Sequence, residues 1–281
     1  MFKCDGALVS GFTHVMNLDL MRKAAALLGK AADADKWASL ATAARARFHA
    51  LFFNSTSARY VTKSSGDQTA NALPLLARIT PPSQVARVAA SLAEIVTKGQ
   101  RVVDTQGREQ FLHPLHLTTG VTGTAILLPT LTQIGRNDLA FTIATQTTYP
   151  SWFARFCLEL FNSLLRRGFM QANNGTTVWE SWSDALNAEG ASRNHIMFGT
   201  VGNWLFTTLA GINNGDRGND TTGLLSTSRL VINLPVLAVG YSMIRIEPIV
   251  AGLDLNYAGA QINTVRGWVR SQWVKTRAED G

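Results

Sequence analysis

Apolar residues recur at three- and four-residue steps over most of the first 210 positions of the sequence, which is the spacing of an amphipathic helix. The clearest case runs from Asp33, a predicted N-cap, to Phe52, with Lys36, Arg45 and Arg47 on its polar face. The same spacing predicts further helices over residues 11–28, 67–78, 83–96, 119–133, 137–147 and 195–209. Gly29, Gly99, Gly135 and Gly211 follow the last periodic residues, as helix-ending glycines do. The pattern predicts a series of helical hairpins.

The pattern changes after about Gly240 to β-branched alternation, as in "YSMIRIEPIV", "LNYAGAQI" and "TVRGWVRSQWV". Pro248, Gly252, Gly259 and Gly267 are the predicted turn residues between these strands. We therefore expect a small antiparallel β-domain after the helices.

Composition is typical of a folded chain, with 46% hydrophobic and 16% charged residues among 281. The net charge of +7 comes from scattered Lys and Arg, without a run of five like charges, so we predict no nucleic-acid partner. The richest apolar run, 230–246, is broken by polar residues and proline, so we predict no membrane span. The opening "MFKCDGALVSGF" does not have the pattern of a signal peptide, and the compartment stays open.

Cys4 and Cys157 are too few for a disulfide framework, and no histidine lies at metal-ligand spacing from them. We therefore predict neither a metal nor an organic cofactor.

The stretch "TTVWESW" carries the most distinctive chemistry, because Glu180 lies between Trp179 and Trp182 after the loop-like "ANNGTT". Indole faces partly desolvate a carboxylate and suit the C–H faces of a sugar ring, which indicates a carbohydrate site. The structural alternative is that both indoles are core anchors and that Glu180 caps a helix or pairs with Arg193.

A longer series of motifs is more specific. In order, "HLTTGVTGTAILLPTLTQIGRNDLAFTIATQTTYPSW", "GFMQANNGTTVWESW" and "SRNHIMFGTVGNWLFTTLAGI" closely resemble the C-terminal half of the catalytic domain of glycoside hydrolase family 78, the α-L-rhamnosidases. The resemblance extends from Gly6 to Trp273.

The resemblance implies a mainly α fold, with part of an (α/α)6 toroid of six helical hairpins followed by the start of a small antiparallel β-sandwich domain. The corresponding boundaries are residues 1–212 for the partial catalytic domain, 213–240 for a linker or insertion and 241–281 for the β-domain. The implied reaction is the inverting hydrolysis of terminal α-L-rhamnosyl residues, without a cofactor. The implied partner is a rhamnose-containing glycoside or polysaccharide.

The same resemblance assigns roles to individual residues. Glu180 matches the general base that activates water, and Trp179 and Trp182 match aromatic positions near the sugar. His195 matches the histidine that contacts rhamnose hydroxyls, although by residue type alone it would be a helix-entry histidine satisfied by backbone. His116 is better explained as a loop histidine that closes a turn.

The family's general acid lies in an acidic, arginine-containing motif, and this sequence contains no match to that motif. Asp67, Asp104 and Asp184 are the remaining carboxylates that we considered, and none matches a family acid position. We therefore expect a truncated enzyme that is weakly active or inactive alone. Half a toroid also leaves apolar edges exposed, which predicts self-association.

Three departures from the family affect the site. The stretches 153–167, "FARFCLELFNSLLRR", and 221–239 are apparent insertions, either real segments or translated intervening sequence. Ser181 stands where relatives commonly carry a bulkier, often basic residue. Two other functions stay open: a non-catalytic carbohydrate-binding remnant, or another sugar-processing enzyme on an α/α toroid.

Overall fold

The computed structural model describes residues 5–62, 67–103, 109–148, 150–152, 170, 175–180, 182, 192–214 and 241–275. The predicted insertions at 153–167 and 221–239, both cysteines, Asp104, Ser181 and Asp184 lie outside these residues.

The described chain is mainly helical, which confirms the predicted fold class. The helices are α1 (Gly6–Leu27), α2 (Ala31–Phe52), α3 (Asp67–Leu76), α4 (Pro82–Lys98), α5 (Val121–Gln133), α6 (Asn137–Ala144) and α7 (Thr200–Trp204). A 3-10 turn (Ile196–Gly199) precedes α7 and a π-helical turn (Leu205–Leu209) continues it. α1 packs along α2, and α3 contacts both α4 and α5, as expected for consecutive helical hairpins.

Small antiparallel hairpins connect and follow the helices. The strands are β1 (Phe53–Asn54), β2 (Arg59–Tyr60), β3 (Gln100–Val103), β4 (Glu109–Leu112), β5 (Ile212–Asn214), β6 (Ile244–Ile246), β7 (Tyr257–Thr264) and β8 (Gly267–Val274). They pair as β1–β2, β3–β4, β5–β6 and β7–β8. β5 pairs with β6, so the end of the helical region is hydrogen-bonded directly to the start of the β-region. The three domain boundaries stay a prediction.

The helix ends follow the sequence prediction in most places. The four helix-ending glycines all have positive φ, between 70° and 79°. Two predictions were wrong in detail. α2 begins at Ala31, so Asp33 lies in its first turn rather than at its N-cap. Gly259 lies inside β7, opposite Gln272, rather than in a turn.

The core is continuous from α1 to the π-helical turn and contains large apolar side chains from every helical hairpin. Helices α3 and α5 approach each other closely at Gly123. A Cβ added to Gly123 would lie 2.0 Å from the Thr69 hydroxyl oxygen and 3.0 Å from Cβ of Thr119. Both threonines are buried, so neither side chain has room to move away. Glycine at position 123 therefore sets the distance between the two helices.

None of the described helices is both long enough and apolar enough to cross a bilayer.

We predict that Gly123→Ala lowers the free energy of unfolding by about 1–3 kcal/mol, because the added methyl group overlaps Thr69 across a packed interface. Urea denaturation followed by circular dichroism measures the change. Gly202→Ala in α7 is the matched control, since a Cβ there meets nothing within 4 Å. The control gains roughly 0.5–1 kcal/mol from better helix propensity. Equal stability of the Gly123→Ala variant and the parent would contradict this account of the α3–α5 packing.

Candidate functional site

The central element of the candidate site is a pair of backbone hydrogen bonds between residues 178–180 and residues 192–195. The Glu180 amide donates to the Ser192 carbonyl at 2.9 Å, and the His195 amide donates to the Val178 carbonyl at 2.8 Å. Trp179 is buried, while Val178 and Glu180 are partly exposed. The pairing places Glu180 and His195 on one small backbone frame.

The Glu180 carboxylate is held at one oxygen. Its Oε2 accepts a hydrogen bond from the Ser192 amide at 2.9 Å. Within the described part of the chain its Oε1 has no hydrogen-bond partner. The residue is partly exposed, so a solvent molecule can reach it. One fixed and one available oxygen is an arrangement that can accept a proton from water.

Trp179 and Trp182 are both core residues, with exposures of 3% and 1%. The Trp182 indole nitrogen donates to the Thr119 carbonyl at 2.8 Å. Burial favours the structural alternative for the two indoles, namely that they anchor the loop that carries Glu180. Their direct contact with a sugar stays a prediction.

Trp182 lies at the centre of an aromatic cluster formed with Trp152 and Phe198. It stacks on Phe198 with ring centroids 4.1 Å apart and an interplanar angle of 13°. It meets Trp152 edge to face, at 5.2 Å and 77°. The Trp152 indole donates in turn to the Phe198 carbonyl at 2.9 Å. Phe198 was not predicted as a site residue from the sequence, although its place in "NHIMFG" was the available signal.

His195 is the N-cap of the 3-10 turn. Its Nδ1 accepts a hydrogen bond from the Met197 amide at 3.3 Å, and its backbone is extended. This is the helix-entry role expected from the residue type alone. Because Nδ1 accepts, the neutral ring carries its proton on Nε2. That N–H remains able to donate to a hydroxyl group, so the structural role and the sugar-contact role are compatible.

The loop at 116–119 accepts the Trp182 indole hydrogen bond at the Thr119 carbonyl. Gln68 holds this loop in place. The Gln68 amide donates to the His116 carbonyl at 2.8 Å and accepts from the Thr118 amide at 2.9 Å. His116 is buried; its Nδ1 lies 2.8 Å from the Pro114 carbonyl and its Nε2 lies 2.7 Å from the Thr148 hydroxyl. These contacts agree with the turn-closing role expected for His116. Gln68 was missed because a single glutamine in a helix has no distinguishing sequence signal.

Asp67 is the one described member of the three further carboxylates considered from the sequence. It begins α3, and burial raises the pKa of its carboxyl while nearby Arg59 opposes that change. A raised pKa is a property that a general acid needs. No hydrogen bond or ion pair joins Asp67 to Glu180. In the described ranges, no group of three or more histidine, cysteine, aspartate or glutamate side chains is placed to bind a metal.

Comparison with known proteins gives a consistent result. Residues 2–209 match the family described as the bacterial α-L-rhamnosidase six-hairpin glycosidase domain. The chain is 30% identical to an α-L-rhamnosidase of Streptomyces avermitilis over 215 residues, which are 74% of this chain and 17% of that protein.

Solved structures extend the similarity to almost the whole chain. The α-L-rhamnosidase of Dictyoglumus thermophilum superposes with a TM-score of 0.69 at 28% identity, covering 95% of this chain and 24% of that one. The Streptomyces avermitilis α-L-rhamnosidase complexed with L-rhamnose gives a TM-score of 0.67 at 25% identity, covering 96% and 21%. The chain therefore spans about a quarter or less of the length of these relatives.

We predict that Trp182→Phe lowers the free energy of unfolding by about 1–3 kcal/mol, because the buried Thr119 carbonyl loses its donor. Urea denaturation measures the change, and near-ultraviolet circular dichroism reports the loss of aromatic packing. Trp204→Phe is the matched control: its indole donates to the Thr132 hydroxyl oxygen, which after the substitution can still take part in hydrogen bonding through its own O–H. The control therefore loses less stability. A Trp182→Phe variant that loses no more than the control would contradict the anchoring role.

Proposed function

Because the chain belongs to the α-L-rhamnosidase six-hairpin glycosidase family, we propose that Glu180 is the general base of an inverting α-L-rhamnosidase site. The observation that carries this proposal is the carboxylate itself: one oxygen is fixed by the Ser192 amide, and the residue is partly exposed. Its loop is anchored by buried indoles on both sides of the glutamate.

The reaction that this site serves is hydrolysis of a terminal α-L-rhamnosyl bond. Glu180 removes a proton from water as the water attacks the anomeric carbon, and the departing oxygen takes a proton from an acid on the opposite face of the ring. The two carboxyl groups of an inverting glycosidase are roughly 6.5–9.5 Å apart, which leaves room for that water. The mechanism needs no metal or organic cofactor.

The sugar is held by the groups around the base. His195 donates from Nε2 to a rhamnose hydroxyl while its Nδ1 caps the 3-10 turn. Trp179 and Trp182 act by holding the loop that carries Glu180 against the core. A rhamnose-containing glycoside or polysaccharide is the partner that these groups suit.

The 281 residues carry the base without a match to the family's general-acid motif. Loss of a general acid lowers the rate by about 10²–10⁴. We therefore expect this chain by itself to bind rhamnose and to hydrolyse rhamnosides poorly. In the limiting case the chain binds carbohydrate and does not hydrolyse it, as a non-catalytic carbohydrate-binding remnant would.

Hydrolysis of 4-nitrophenyl α-L-rhamnoside and calorimetry with L-rhamnose test this proposal on the same samples. We expect rhamnose binding by the parent chain, and turnover at least about 10²-fold below that of a full-length family member. Glu180→Gln removes the remaining turnover and keeps binding. Asp35→Asn is the matched control, since Asp35 is exposed on α2 and far along the chain from the site motifs.

Two results would change the interpretation. Full turnover by the parent would contradict the absence of an acid, and Asp67→Asn would then test whether the buried Asp67 carboxyl supplies the proton. Glu180→Gln with parental turnover would contradict the role of Glu180 as base.

The partial toroid also exposes apolar side chains on its first hairpin. Leu27, Leu28 and Leu51 are 47%, 72% and 65% exposed at the ends of α1 and α2. We expect the chain to self-associate through these edges, with an apparent mass that rises with concentration in sedimentation velocity. The double variant Leu28→Glu/Leu51→Glu shifts the chain towards monomer, and Val265→Glu, on the exposed β7–β8 turn, does not. A parent that is monomeric at all concentrations would contradict this prediction.

A further inference from the structure

The β7–β8 hairpin presents two different faces. Its strands pair over their whole length, from Tyr257 opposite Val274 to Thr264 opposite Gly267. The inner face packs on the helical region, where the Trp273 indole donates to the Leu209 carbonyl at 2.7 Å and Ser271 is buried. The other face, here called the outer face, consists of exposed positions on both strands: Tyr257, Gly259, Gln261, Asn263, Trp268, Arg270, Gln272 and Val274.

The outer face is unusual in carrying exposed aromatic rings. Trp268 is 69% exposed and Tyr257 is 46% exposed. Tryptophan is highly buried on average in folded proteins, so a largely exposed indole on a regular strand is an informative exception. Gly259 has no side chain to fill the space between these rings. A Cβ at this position would lie 3.3 Å from the Tyr257 hydroxyl oxygen. The face is therefore a shallow surface with aromatic rings at its ends.

Amide side chains lie between the rings. Asn263 is directly opposite Trp268, and Gln261 is directly opposite Arg270. In the part of the chain that the structure describes, the side chains of Gln261, Asn263 and Gln272 make no hydrogen bonds. Each amide offers both donors and an acceptor. These groups match the hydroxyl groups of a sugar, which also donate and accept.

The charge of the hairpin is of one sign. Residues 257–275 contain Arg266, Arg270 and Lys275 and no aspartate or glutamate. Arg270 is on the outer face itself, two residues after Trp268 on the same strand, β8. A guanidinium group binds a carboxylate through two parallel hydrogen bonds, so this charge selects an anionic partner over a neutral one.

We propose that the outer face binds an acidic polysaccharide. A sugar ring stacks on the Trp268 indole, a uronate carboxylate pairs with the Arg270 guanidinium, and hydroxyl groups bond to Gln261 and Asn263. The choice of a saccharide rather than another polyanion rests on the proposed rhamnosidase function. In that context the outer face tethers the chain to an acidic polymer, separately from the Glu180 site.

Polygalacturonate is the probe, measured by affinity electrophoresis and calorimetry with the full chain and with dextran as the neutral polymer. We expect binding that weakens as salt is added. Trp268→Ala and Arg270→Gln each weaken it by about tenfold or more, as expected for an aromatic anchor and an arginine at a binding surface. Lys30→Gln, which removes an exposed charge in the α1–α2 connection, and Val265→Ala, in the hairpin turn, leave binding unchanged.

Several outcomes would overturn the proposal. Equal loss of binding in Lys30→Gln would mean attraction to net charge alone, and unchanged binding in both outer-face variants would place the contact elsewhere. Tighter binding of single-stranded oligothymidylate than of polygalacturonate would identify a nucleic-acid surface instead. Trp268→Ala should keep parental rhamnose binding, so a failure of the Glu180 site and a failure of the outer face are distinguishable. Far-ultraviolet circular dichroism confirms that each variant is folded.

Discussion

The packing of a single indole, that of Trp182, is the constraint on which the candidate site depends. It stacks on Phe198, meets the edge of Trp152 and donates to the Thr119 carbonyl. These three partners belong to separate parts of the sequence, and the shortest separation from Trp182 is 16 residues, to Phe198. A buried aromatic side chain with a satisfied N–H gives both apolar area and a fixed orientation. The position of Glu180, two residues before Trp182, follows from that orientation.

The fixed position of Thr119 has its own cause deeper in the fold. Gln68 forms hydrogen bonds with the His116 carbonyl and the Thr118 amide, in the loop that leads to Thr119. Gln68 belongs to α3, which approaches α5 closely at Gly123. A buried amide that satisfies two backbone groups cannot be replaced by an apolar residue without leaving those groups unpaired. The position of the loop that carries Glu180 therefore depends on the Gln68 hydrogen bonds, and these depend in turn on the packing of α3 against α5. Each level constrains the next because packed interiors leave little free volume.

The sequence predicted the parts of this arrangement that have a period. Long amphipathic helices such as α2 and α4 were predicted within a few residues, and the strands β7 and β8 were recognised by alternation. The two-residue strands β1 and β2 were missed because two residues contain no period. Gly259 was taken for a turn residue because glycine is typical of turns. In β7 it lies opposite Gln272, whose Cβ would be 3.1 Å from a Cβ at position 259, and a local pattern cannot reveal a contact with the partner strand.

The candidate site was predicted through the resemblance of its motifs rather than through residue types. Residue types alone favoured a structural role for Trp179, Trp182 and His195, and the structure gives all three such a role. This does not remove them from the site, because a residue that fixes a loop also fixes the group that the loop carries. His195 shows how both roles coexist, since one ring nitrogen caps a turn and the other remains a donor. A carboxylate held in this way keeps its geometry whether or not a second carboxyl group lies near it, so the proposed sugar binding and the proposed bond cleavage depend on different groups.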